Sequence, residues 1–141
     1  MKAYTNIEQS QKLAEILPTE SADAWWAERH EGKVTYDGQY IVNEEPFYYI
    51  SFIKPSEINY SQDTVKDIPC WSLTALLDVF PCSKESPIVN LTRGGWNPSF
   101  TRRWFATWED EDKNVFYSAD GITPVDAVVE LILKLHEQKL L

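Results

Sequence analysis

Few side chains in this sequence are equipped for chemistry. There are two cysteines, Cys70 and Cys82, and two histidines, His30 and His136. Protein zinc ligands usually come in local pairs such as C-x2-C or H-x3-H, and neither spacing occurs, so no metal or cofactor is expected. The cysteines flank a stretch with helical spacing. About ten helical residues at ~1.5 Å each would hold them roughly 15 Å apart. A disulfide needs Cα atoms within ~7 Å, so both are expected as free, buried thiols. The nucleophile elbow G-x-S-x-G, the P-loop and G-x-G-x-x-G are absent. The acidic run Glu109-Asp110-Glu111-Asp112 lacks calcium-loop spacing and reads as a solvated hairpin tip. No catalytic residue is assigned.

What remains is residues 86–108, which hold Arg93, Arg102 and Arg103 and no acidic side chain inside a protein of net charge -9. If 100–108 is a strand, then Phe100, Arg102, Trp104, Ala106 and Trp108 share one face by period two. Such a face could stack on a flat ligand or a peptide, with arginine supplying cation–π or anion contacts. The competing reading puts Trp104 and Trp108 in the core and pairs the arginines with 109–112. The candidate binding residues are Arg93, Trp96, Arg102 and Trp104. Adjacent Trp25 and Trp26 must point to opposite faces of any strand that carries them.

The charge bounds the partners. Thirteen Lys and Arg stand against 22 Asp and Glu, with a sequence pI near 4.6. Nucleic-acid binding needs a basic face and is not expected. Aromatics make up 13% of 141 residues, an excess that suits both cores and binding surfaces. No apolar run approaches the ~18 residues of a membrane span, and the opening Met1-Lys2-Ala3-Tyr4-Thr5 lacks signal-peptide character. A cytoplasmic protein with no membrane partner is expected, with homo-oligomerisation left open. The length fits one domain, 1–141.

The elements that position these residues follow from spacing. Thr5 with Glu8 reads as a capping box for a helix over 5–17, ended by Pro18. Trp25-Trp26, Val34–Tyr36, Tyr40–Val42 and Phe47–Ile53 read as strands, with Asp37-Gly38 as a hairpin turn. Phe47–Ile53 is apolar on both faces and is expected centrally in the sheet. Residues 54–67 read as a loop, and 71–79 as a short helix bracketed by Pro69 and Pro81. Strands are expected at 87–92, 100–108 and 114–118. A final helix is capped by Thr123, with Pro124 at its first position and Asp126 in its first turn. The fold class is α+β: an antiparallel sheet of about five to six strands with three helices packed mainly on one face.

Three blocks carry a resemblance: Tyr4 through Pro18 with Glu20-Ser21-Ala22-Asp23; Ile68-Pro69-Cys70-Trp71-Ser72-Leu73 with Ala75-Leu76-Leu77; and Pro124-Val125-Asp126-Ala127 with Lys134 to Leu141. Together they resemble a family of small uncharacterised proteins of gut anaerobic bacteria, carried largely on prophage-like and other mobile segments. The blocks cover about a third of the chain. The family has no assigned activity, so the resemblance implies no site residues. Three functional readings follow. The first is a non-enzymatic protein-interaction module using the aromatic and arginine-bearing sheet region. The second is a small-ligand binder or enzyme with a pocket lined by Trp96, Arg102 and Trp104. The third is an acidic inhibitor or decoy of a basic surface, using Glu109 to Asp112.

Overall fold

The final helix, the element most plainly written in the sequence, organises the structure. In the computed structural model, which describes residues 2–29, 32–42, 47–54, 65–80, 89–94, 103–110 and 115–141, it spans Pro124–Glu137 (α3). Thr123 caps it: its Oγ1 accepts from the Asp126 amide at 3.2 Å. Val125, Val128, Val129, Ile132 and Leu135 are buried along one stripe. That stripe lies on a three-stranded antiparallel sheet of order β6-β7-β8, formed by Val89–Arg93 (β6), Trp104–Asp110 (β7) and Val115–Gly121 (β8). Register sets Leu91 and Ala119 on either side of Ala106. The small residues at that centre let the helix approach closely.

A second antiparallel sheet has the order β4-β1-β5, from Ala24–Arg29 (β1), Phe47–Ser51 (β4) and Val65–Cys70 (β5). Helix Ile7–Ala14 (α1) packs against β5. Helix Leu73–Asp78 (α2) follows β5 directly and packs against α3. Gly32–Val34 (β2) and Tyr40–Val42 (β3) form a hairpin, turned at Asp37-Gly38 with Gly38 at φ 85°. One apolar cluster, including Leu13, Trp71, Leu76, Trp108 and Ile132, joins all three helices and the β6-β7-β8 sheet.

Among the described residues the architecture is α+β with three helices, as the spacing predicts, but in place of a single five-to-six-stranded sheet there are two three-stranded sheets and a hairpin. Part of the difference is β5, a strand that the spacing does not mark. Its sequence, VKDIPC, carries two charges and a proline, and its first half reads as the end of the loop over 54–67. Pro69 is tolerated because, among the described residues, β5 is an outer strand of its sheet. β5 also displaces the expected centre: β1 lies between β4 and β5, and Phe47 and Tyr48 of β4 are exposed.

The first helix starts one residue later than its capping signal suggests, and the box belongs to Asn6 and Gln9. Thr5 is instead buried: its Oγ1 accepts from the Trp71 amide at 3.2 Å, and its amide donates to the Trp71 carbonyl at 3.0 Å. Trp26 Nε1 donates to the Thr5 carbonyl at 2.8 Å. Trp25, on the opposite face, has a buried Nε1 without an acceptor among the described residues. Both indoles are half-buried.

The start of α3 is tied to the chain's opening segment through Asp126. Its carboxylate accepts from Lys2 Nζ at 2.6 Å, Gln9 Nε2 at 2.8 Å and Thr123 Oγ1 at 2.9 Å. Partial burial pushes this carboxyl up, but the hydrogen bonds from Lys2, Gln9 and Thr123 and the Lys2 charge outweigh it, so its pKa lies below the usual value. A depressed folded-state pKa gives stabilisation that is complete above the unfolded value of about 3.9 and is lost as pH falls through the lower folded value. Denaturant melts at descending pH should therefore show a shallower acid loss for Asp126→Asn than for the wild type. Parallel acid limbs would contradict this linkage.

Candidate partner-binding site

Of the four candidate residues, the structure describes Arg93 and Trp104 and brings them together. Trp96 and Arg102 lie outside the described residues. Arg93 ends β6 and is the cross-strand partner of Trp104 at the start of β7. Gly94 then takes a φ of 74°, and its amide donates to the Arg103 carbonyl at 2.8 Å. A side chain would be strained in that left-handed backbone, so glycine lets the pairing run one residue past the strand. The result fixes Arg93 opposite the indole: its guanidinium carbon lies 6.0 Å from the Trp104 ring centroid. Arg93 is exposed and Trp104 half-buried against the core.

The expected aromatic face is mostly an inward one. Ala106 and Trp108 are 0% and 5% exposed, and Trp108 meets the Tyr117 ring at 6.4 Å between centroids. Period two placed Trp104, Ala106 and Trp108 on one side correctly. That side is the one α3 covers, so Trp108 is core and only the Trp104 end reaches the surface. Of the arginines expected to pair with 109–112, Arg103 finds a different partner. Arg103 points to the other face of the sheet and donates from Nε to Asp120 at 2.6 Å, across a pair that is 40% and 43% exposed. Such a pair in solvent contributes little stability. Arg93 has no carboxylate partner among the described residues. Phe116 and Ile122 stand exposed at 63% and 71%.

The remaining reactive groups are quiet. Cys70 is a buried free thiol whose pKa is pushed up to about 12, chiefly by burial and further by the Asp23 charge. The thiolate is the nucleophile, so native Cys70 should resist iodoacetamide at pH 8 and react only after unfolding. Peptide mass mapping checks this, and labelling of the native protein at Cys70 would contradict it. His136 is exposed near the end of α3, with Nδ1 3.2 Å from the Leu141 carbonyl oxygen. His30, Cys82 and residues 111–114 lie outside the described residues. Among the described residues no three His, Cys, Asp or Glu side chains group as metal ligands, and no helix is long and apolar enough to cross a membrane.

A second feature escapes sequence reading altogether. A groove of about 690 Å³ is assembled from the segment after α1, the end of α2 and the residues after α3, including Leu17, Glu20, Asp78, Val79 and Leu140. Helix α3 ends with Lys139 at φ 59°; its amide donates to the His136 carbonyl, and the Leu140 amide to the Leu135 carbonyl at 2.9 Å. This Schellman-type ending folds Leu140 and Leu141 back against the core and builds one wall. Compared with family models, curated proteins and solved structures, the chain shows no match.

Proposed function

We propose that the protein is a non-enzymatic protein-interaction module that engages its partner at the Arg93–Trp104 end of the β6-β7-β8 sheet. The observation that carries this reading is the exposed Arg93 guanidinium, held over Trp104 and free of a carboxylate among the described residues of a chain with net charge -9. Arginine and tryptophan are the residue types that most often dominate binding energy at protein interfaces. The backbone on both sides is fixed by the β6–β7 pairing, so little order remains to be imposed on binding. The resemblance of the helical blocks to a mobile-element family supports a partner from the same host or phage. The pocket reading rests on Trp96, Arg102 and Trp104 and the acidic-decoy reading on Glu109 to Asp112, and of these residues 96, 102, 111 and 112 lie outside the described residues.

The test is a footprint. The partner retained by the wild-type protein from native host extract is purified with it, and amide exchange is compared in the free and bound protein. Protection is expected at 89–94 and 103–105. Protection confined to other segments would overturn the assignment.

A further inference from the structure

We propose that the groove between the end of α2 and the residues after α3 docks a basic, leucine-rich segment of a partner protein. This extends the interaction reading to a second surface that does not include Arg93. The groove combines two kinds of wall. Its floor is aliphatic: Leu17 is buried, and Ile16, Val79 and Leu140 pack half-buried against the core. Its rim carries the exposed carboxylates of Glu20 and Asp78, and no cation among the described residues lines it. Apolar depth with charges of one sign fits a ligand of aliphatic anchors flanked by lysine or arginine.

The placement of Asp78 sharpens the argument. It is the last residue of α2, whose final turn holds no basic side chain. A negative charge at a helix C-terminus opposes the helix dipole, so folding alone gives no reason for it. Glu20 sits in the 3-10 turn Thr19–Ser21 that forms the facing part of the rim. That turn is rigidly held: Ser21 Oγ donates to the Pro18 carbonyl at 2.6 Å and accepts from Trp71 Nε1 at 2.9 Å. The groove is therefore presented by the core rather than by loose chain, and binding requires little ordering of its walls.

The probe is an acetylated, amidated peptide of twelve residues in which leucine and lysine follow an amphipathic helical pattern. Its glutamate-for-lysine counterpart and octylamine are the comparisons. Calorimetry at low salt should give saturable one-to-one binding of the lysine peptide and none of the glutamate peptide. Replacing both rim carboxylates, Glu20→Lys with Asp78→Lys, should weaken binding by roughly tenfold, as two partly exposed ion pairs become repulsions. The melting midpoint should hold or rise, because the charge at the end of α2 then suits the dipole. Glu109→Lys with Glu130→Lys makes the same change in net charge away from the groove and should alter binding by less than about twofold, screened by distance. Arg93→Glu should also leave it unchanged, which separates this site from the other. Methyl resonances of Ile16, Val79 and Leu140 report occupancy directly. Equal weakening by both carboxylate pairs would mean diffuse attraction to an acidic protein, and would overturn the proposal. So would octylamine binding as tightly with the same methyl shifts, or no binding of the lysine peptide.

Discussion

Trp71→Ala should cost about 3–5 kcal/mol, the range for removing a buried aromatic, which for a domain of this size lowers the melting midpoint by roughly 10–20 °C. Trp71 is fully buried and, among the described residues, is the largest of the completely enclosed side chains. It joins parts of the chain far apart in sequence. Its backbone exchanges hydrogen bonds with Thr5, and its indole N–H donates to Ser21 Oγ. Truncation leaves both a cavity and an unpaired Ser21 lone pair, in a protein whose total stability is on the order of 5–15 kcal/mol. Chemical denaturation of the purified variant measures the loss. A change under about 1 kcal/mol would mean that Trp71 does not join these segments as described.

Gly121→Ala should also be destabilising, for the opposite reason. A Cβ at Gly121 would lie 2.6 Å from the Ala127 nitrogen, 2.7 Å from the Asp126 Cβ and 2.8 Å from the Asp126 carbonyl carbon. Two of these atoms belong to the backbone of α3, so no rotamer change relieves the clash. The helix must move away from β8, at a cost of about 1–3 kcal/mol or more. Gly121 pairs with Trp104 across the sheet, so the shift also disturbs the ledge on which Arg93 rests. Equilibrium melts give the energy, and the amide and indole N–H chemical shifts of Trp104 report the displacement. A variant as stable as the wild type would show that α3 does not seat this closely.

How much of this was legible depends on how local the cause is. The start of α3 could be read because Thr123, Pro124 and Asp126 act within one turn, and its buried stripe because its period matches the helix. The shared side of Trp104, Ala106 and Trp108 was also legible, since alternation is a property of one strand. Which way that side faced was not. An aromatic fits a core and a binding surface equally well, and only the position of α3 decides. β5 was hidden because Lys66, Asp67 and Pro69 break the alternation that marks a strand. The capping box was misplaced by one residue because Thr5 and Asn6 are both good caps, and Thr5 is claimed by Trp71. Gly121 gives no local signal, as its constraint comes from a helix docking onto it. The groove draws on residues near 16–21, 78–79 and 140–141, which only folding brings together.

The most direct test of the central claim is capture of the host partner by Arg93→Glu against the wild-type protein. The substitution reverses an exposed charge and gives up a surface cation–π contact of about 0.5–1 kcal/mol, so the melting midpoint should change by only a few degrees. If Arg93 anchors the interface, capture should fall about tenfold or more, the scale of a dominant interface arginine. Undiminished capture by a variant that melts with the wild type would contradict the assignment of the Arg93–Trp104 end as the docking surface.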